Sequence, residues 1–315
     1  MSQRPFAHLL VVLSLLFAAC APASGLAPTG APTAPITTAT APAASPFPVT
    51  VTDFQGKSVA IPKRPERIVS IGPSNTEFLF ALGAGARVVG VDEFSDEPAG
   101  AKTKDKVGGV KVNVEKVVAL AADLVVSLKI SDGSLERIAA QGIPVLVVHP
   151  QGLADATRSS VLLGTAIGAD GQALARQIET GLAEVRARAA SVKKKRVFHE
   201  VDASDPTKLY TAGPGSFIHE LIELAGGINI AATAPSPFPQ ISAEEVIRSD
   251  PEVIVLGDAG YGVTVEQVLA RPGWSVITAV KNRRVVPADP NLLHRPGPRL
   301  VQAAQEYLRI VSETP

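Results

Sequence analysis

One cysteine, one tryptophan and one methionine occur in 315 residues, and aromatic residues make up only 4%. The lone cysteine, Cys20, excludes an intrachain disulfide. Lys plus Arg balance Asp plus Glu at 30 each. No surplus of positive charge is therefore available to neutralise a phosphate backbone, and nucleic acid is not an expected partner. Only one long apolar run exists, at 9 to 19, and it falls short of the ~20 residues needed to cross a bilayer, so no transmembrane domain is expected. What the chain does have is 46% hydrophobic residues, enough to build cores in one large or two medium domains.

The chain opens MSQRPFAHLLVVLSLLFAAC, with Arg4 ahead of the apolar run and small residues before Cys20. This is the pattern of a secretory signal peptide over residues 1–19. The ending Phe17-Ala18-Ala19-Cys20 resembles a bacterial lipobox. It implies lipidation of Cys20 and an exported protein, anchored to the outer face of the cell membrane or held in the periplasm. Removing 1–19 takes away Arg4 and no acid, leaving 29 bases against 30 acids. Residues 20–48 are dominated by Ala, Pro, Thr and Ser, a composition that cannot bury a core and reads as an extended tether.

From Val49 the texture changes. VTVTDF, Gln55-Gly56-Lys57 and SVAIP predict a hairpin with alternating buried and exposed positions. Short β-branched runs then alternate with helical segments: RIVSIG (67 to 72), VVGVD (88 to 92), DLVVSL (123 to 128) and PVLVVH (144 to 149). The pattern restarts with RVFHEV (196 to 201), GINIA (227 to 231), EVIVLG (252 to 257) and RVVPAD (284 to 289). Nearly continuous apolar runs suit parallel strands covered on both faces. Residues 112 to 128 align without gaps on 241 to 257, placing Glu115 on Glu244, so the two halves read as diverged copies. Between them, 169–195 carries the stripe Ala173, Ile178, Leu182, Val185 and predicts one long helix. The expected fold is α/β: two Rossmann-like lobes (49–168 and 196–315) with mainly parallel sheets, joined by that helix, with a ligand cleft between them.

The sequence carries partial signals of two other chemistries, hydrolysis and metal binding. Gly72-Pro73-Ser74-Asn75-Thr76 half matches a nucleophile elbow, with Asp289 and His294 following in hydrolase order. However, β-branched Thr76 stands where the elbow needs glycine, and Ser74 with Glu77 three residues on reads as a capping box. His149, His199, His219 and His294 are scattered without the close spacing that marks metal sites. Gly213-Pro214-Gly215 has Ile218 where a dinucleotide fingerprint needs a third glycine. No catalytic residue, metal or cofactor is therefore assigned.

Several segments together, VTDFQGKSVAIPKRPERIVSIGPSNTEFLFALGAGARVVGVDEFSDEP, VNVEKVVALAADLVV, YTAGPGSFIHELIELAGGINIA, FPQISAEEVIRSDPEVIVL and RPGWSVITAVKNRRVVPAD, cover the chain from about Val51 to Val311. In these the chain resembles the extracytoplasmic solute-binding proteins of ABC importers for cobalamin, heme and ferric siderophores. The resemblance implies two lobes joined by a single long helix, a monomer, and delivery of a large solute to a membrane permease and its ATPase.

Ligands of open parallel sheets sit beyond the carboxyl ends of the strands. Those ends carry Pro73, Ser74, Asn75, Phe94, Lys129 and His149 in the first half, and Tyr210, Phe238, Tyr261, Asp289 and Arg295 in the second. By the resemblance, cobalamin binders place an aromatic at Phe94, another at Phe238 and polar contacts along Asp289 to Arg295. They also carry tryptophans around Val110 and at Leu128, which this chain replaces. Heme binders use a tyrosine within 108 to 113, and none is there. A corrinoid is the expected ligand, a ferric siderophore the alternative, and heme ranks third. Glu115 and Glu244 each follow a helix N-cap, where a carboxylate suits the helix dipole. In the family these positions meet arginine pockets of the permease, so the pair is expected to dock the transporter.

Overall fold

The chain enters its body through the expected hairpin, β1 (Val49–Thr52) and β2 (Ser58–Ile61), with Val51 opposite Val59. Alternation buries Val51, Val59 and Ile61 and leaves their neighbours at the surface. The turn is held by Asp53, whose Oδ1 accepts the Gln55 and Lys57 amides at 2.8 Å each. This computed structural model describes residues 47–205 and 208–313. The signal peptide, Cys20 and nearly all of the tether lie outside the described residues.

The first sheet contains β3 (Ile68–Ile71), β4 (Val88–Val91), β5 (Asp105–Lys106), β6 (Leu124–Ser127) and β7 (Val145–Val147), in the order β5-β4-β3-β6-β7. All of its pairings are parallel. Helices α1 (Pro73–Ala81), α2 (Val114–Ala119), α3 (Ser134–Ala139) and α4 (Leu153–Ile167) alternate with these strands. Ile68, Leu124 and Val126 pack with Phe78 and Leu163, whereas Val69, Ile71 and Val125 pack with Val117 and Ile138. Helices on both faces explain why the strand sequences are apolar throughout.

The second sheet contains β8 (Lys195–Asp202), β9 (Leu209–Thr211), β10 (Gly227–Asn229), β11 (Gln240–Ile241), β12 (Val253–Leu256) and β13 (Val285–Pro287). Its order is β11-β9-β8-β12-β13, with β10 also beside β8. The long β8 is shared along its length: Lys195 to Val197 pair in parallel with β10, and Glu200 and Asp202 pair antiparallel with β9. This sheet is therefore mixed. Its helices are α6 (Phe217–Leu224), α7 (Ala243–Ser249), α8 (Val265–Leu269), α9 (Thr278–Lys281), α10 (Pro290–Leu293) and α11 (Leu300–Ser312).

Between the sheets runs α5 (Gly171–Ala189), 19 residues buried along Ala175, Ile178, Leu182, Val185 and Ala189. At ~1.5 Å per residue it is about 28 Å long. It is shorter at both ends than 169–195, because Asp170 caps it by accepting the Ala173 amide and the chain is already extended in β8 at Lys195. Gly181 faces α11 so closely that a Cβ would stand 2.7 Å from the Val301 methyls. Among the described residues, no helix is long and apolar enough to cross a membrane.

Candidate ligand cleft

At their carboxyl ends both sheets run into segments that carry exposed aromatic side chains. Phe94, after β4, is 52% exposed; Phe238, before β11, is 48% exposed; Tyr210 on β9 and Tyr261 after β12 are 38% and 77% exposed. Large apolar side chains are normally buried, so four open rings at the strand ends of two lobes call for a partner. The Tyr210 hydroxyl accepts from Gln240 Nε2 at 2.8 Å, which fixes its ring beside the strand that follows Phe238. Val110, 85% exposed, lies in a loop joined to Phe94's own loop by the Glu93 amide donating to the Gly108 carbonyl.

The lobes touch where these loops meet segment 289 to 299. Arg295 Nη1 donates to Asp96 Oδ1 at 2.7 Å and to Glu77 Oε1 at 3.4 Å, and its Nη2 reaches the Phe94 carbonyl at 3.3 Å. Arg299 donates from Nε and Nη2 to the two Glu77 oxygens at 2.8 and 2.7 Å. Glu77 is buried, and its hydrogen bonds raise the pKa of Arg299. Asn291 completes the contact through Asp96 Oδ2.

The other expected site residues are held as follows. Asn75 is fully buried in α1, where its Nδ2 donates to the carbonyls of Ile71 and Val148; it ties β3 to the end of β7 instead of facing the cleft. Ser74 is buried and Pro73 half-buried at the first turn of the same helix. The capping box is not formed: Gly72 is the N-cap, Pro73 occupies the first helical position, and Glu77 is taken by the two arginines. Asp289 is exposed and caps α10 by accepting the Asn291 amide at 2.9 Å. Lys129 is exposed, and His149 is half-buried with its pKa lowered by burial and by Lys129.

Two of the four scattered histidines converge. His199 Nε2 and His294 Nε2 are 2.9 Å apart, and the Tyr307 hydroxyl lies 2.7 Å from His199 Nδ1. Burial holds both imidazoles below their ordinary pKa, His294 at about 4. A side chain at Gly257 would strike both rings, so that glycine is required by close approach. His219 instead meets Asn229. No group of three or more His, Cys, Asp or Glu able to hold a metal ion occurs among the described residues. With Ser74 buried and His294 joined to His199, the elbow, Asp289 and His294 do not form a triad.

Residues 68–292 match the periplasmic binding protein family. The chain belongs to this family. It is 37% identical over 270 residues to the uncharacterised ABC transporter substrate-binding lipoprotein YvrC of Bacillus subtilis, covering 82% of this chain and 84% of that protein. It is 32% identical over 309 residues to a cobalamin-binding protein of Halobacterium salinarum, covering 93% of this chain and 81% of the relative. The periplasmic heme-binding protein RhuT from Roseiflexus superposes with a TM-score of 0.70 at 29% identity, over 78% of this chain and 99% of that one. Periplasmic binding proteins bind solutes and are not enzymes.

Within this periplasmic binding protein, sequence reasoning missed Glu77, Asp96, Asn291 and Arg299 as the contact between lobes. A signal was present: Arg295 and Arg299 are four residues apart, and Asp92-Glu93 and Asp96-Glu97 flank Phe94 and Ser95. The partners lie about 200 positions away in sequence, which no local pattern encodes.

Proposed function

We propose that this chain is the solute-binding component of an ABC importer and that it captures a corrinoid between its lobes. The observation that supports this most is the set of open rings, Phe94 on one lobe and Tyr210, Phe238 and Tyr261 on the other, at the carboxyl ends of the two sheets. Flat apolar faces suit a flat macrocycle, and the cobalamin-binding relative spans nearly the whole chain. The test is titration of the mature protein with cobalamin, cobinamide, heme and a panel of ferric siderophores, read by absorbance. Phe94→Ala with Phe238→Ala should weaken the ligand by roughly 2 kcal/mol or more, the scale of aromatic anchors in a desolvated contact. Unchanged affinity would move the site elsewhere; binding of siderophore or heme alone would replace the corrinoid.

The same reading assigns Cys20 as the lipid anchor, with Cys20→Ser released from membranes in fractionation. A membrane-retained variant would overturn the anchor. Glu115 and Glu244 are proposed to dock the permease. Both are exposed, each two residues after an N-cap, Asn113 or Ser242. Hydrogen bonds from its own amide and from Ser242 hold the Glu244 carboxyl below its usual pKa, so it is ionised at neutral pH. The double variant Glu115→Arg, Glu244→Arg should keep solute affinity and lose uptake, because docking charge sets registry and partner choice. Normal uptake would end the docking assignment.

A further inference from the structure

The cleft contains a charge arrangement that the aromatic rings do not require. Arg295 is the only Lys or Arg in segment 289 to 295, and both of its terminal nitrogens are occupied: Nη1 by Asp96 and Glu77, Nη2 by Asn291 Oδ1 and the Phe94 carbonyl. Arg299 is occupied by both Glu77 oxygens and by the Asn291 carbonyl. Two guanidiniums thus meet two carboxylates, and Glu97 and Asp289 add further negative charge at Arg299. Around Phe94 the loop adds Asp92 and Glu93. Lys106 beneath it is directed to the carbonyls of Asp92 and Ser95. Lys111, Lys129 and Lys208 on the flanking segments are exposed, as are Glu93 and Asp289. Among the described residues an anionic group entering here meets no unpaired guanidinium, and to engage one it must displace Asp96 or Glu77.

We infer that Arg295 is a strut between the lobes instead of an anion receptor, and that the cleft selects ligands whose polar periphery is uncharged, as with amides or neutral hydroxamates, over those bearing carboxylates or catecholates. This rests on the reading of the cleft as the ligand site and adds the charge class of the ligand. Arg295 is a positioning residue in this scheme: it holds the Phe94 loop by its carbonyl and by Asp96.

The experiment titrates the mature protein with two matched pairs. One pair is dicyanocobinamide, with amide side chains, against dicyanocobyrinic acid, with carboxylates. The other is a neutral ferric trihydroxamate against a trianionic ferric tricatecholate. In whichever scaffold binds, the uncharged member should bind tighter by about tenfold or more. Asp96→Asn, which releases a guanidinium N–H, should narrow that ratio by roughly threefold or more. Arg295→Gln should not weaken the anionic member selectively. Equal or tighter binding of the anionic member, or its selective loss in Arg295→Gln, overturns the inference. If neither corrinoid binds and the trihydroxamate is favoured over the tricatecholate, the charge inference stands and the corrinoid reading falls. If both corrinoids bind equally, the reverse holds, and binding of no member overturns both.

Discussion

The two lobes share one frame displaced by 129 residues: α2 starts at 114 and α7 at 243, β6 spans 124–127 and β12 spans 253–256. The match extends to details. Arg67 and Asp123 exchange backbone and carboxylate hydrogen bonds, and Arg67 Nε caps the helix end at the Leu120 carbonyl. Arg196, Glu252 and the Ser249 carbonyl repeat that arrangement at the same offset. At the carboxyl ends the copies diverge. Ser70 in the first lobe joins a hydroxyl chain through Thr76 and Ser95 to Asp92, whereas its equivalent, His199, forms the ring cluster with His294 and Tyr307. Leu128, packed over Gly72, is replaced by Gly257, which makes room for those rings. The duplicated frame is retained at the end of the sheets away from the proposed cleft, and variation is concentrated at the end proposed to recognise the ligand.

The largest expected effect comes from a feature that belongs to neither copy alone. Glu77 of the first lobe neutralises Arg295 and Arg299 of the second, with side chains 4%, 11% and 27% exposed. Glu77→Ala leaves two guanidiniums without their shared partner, and a loss of about 3 kcal/mol in denaturant unfolding is expected. A loss below about 1 kcal/mol would show that the Glu77 pairs add little to the contact between the lobes.

The second prediction concerns pH and two groups of the second lobe that have no counterpart in the first. Burial and nearby Glu200 raise Asp258 to about 6, and its Oδ1 has no hydrogen-bond partner among the described residues. Its folded pKa lies above the ordinary carboxylate value, so the folded state binds the extra proton, and stability falls as pH rises from about 4 to about 6. Asp258→Asn should therefore stabilise the protein by about 2 kcal/mol at pH 7.5, with the gain vanishing near pH 4. His294, held near 4, acts in the opposite sense: its contribution is complete above about 6.5 and is lost as pH falls through about 4. Without the Asp258 offset, the acid side of the stability profile should steepen. An unchanged profile in Asp258→Asn would place that carboxylate in water.

These elements differ in how far the sequence foretold them. The buried strands, the hairpin and the 129-residue repeat were legible because apolar runs of four or more residues survive any tertiary context. The two- and three-residue strands β5, β9 and β11 were not, since they are held by neighbours already in place instead of by a pattern of their own. Of the residues expected in the cleft, Phe94, Tyr210, Phe238 and Tyr261 are exposed, and their placement after strand-like runs could be read because aromatics are few in this chain. Asn75 could not, because an amide serves equally well as ligand contact or backbone tie. Glu77 looked like a local cap because its partners, some 220 positions away, leave no trace in its neighbourhood.

A third prediction tests the repeated arginine. Arg67→Ala should cost about 1 kcal/mol, the net worth of a hydrogen bond to a backbone carbonyl. Arg196→Ala should cost more, about 1.5 kcal/mol, since Arg196 also pairs with the half-exposed Asp250 and Glu252. Equal losses from thermal melts would mean that the ion pairs of the second lobe add nothing to the shared frame.

The smallest effect has opposite signs in the two copies. Ala121 and Asp250 occupy equivalent positions just past α2 and α7, and both have left-handed backbones, at φ of 48° and 42°. Ala121 is exposed and its methyl has no compensating role there, so Ala121→Gly should stabilise by about 0.5 to 1 kcal/mol through relief of that conformation. Asp250 adopts the same backbone for a reason: its Oδ1 accepts the Thr278 amide at 2.7 Å and its Oδ2 meets the Thr278 hydroxyl and Arg196. Those hydrogen bonds hold its carboxyl below the ordinary pKa, so its contribution is present at neutral pH and is lost as pH falls below the usual carboxylate range. Asp250→Gly should therefore destabilise by about 1 kcal/mol at pH 7, with the loss shrinking in acid. Stabilisation by both glycines would show that the strained turn is a relic of duplication in each lobe. Opposite signs would show that the second copy recruited its turn to anchor α9.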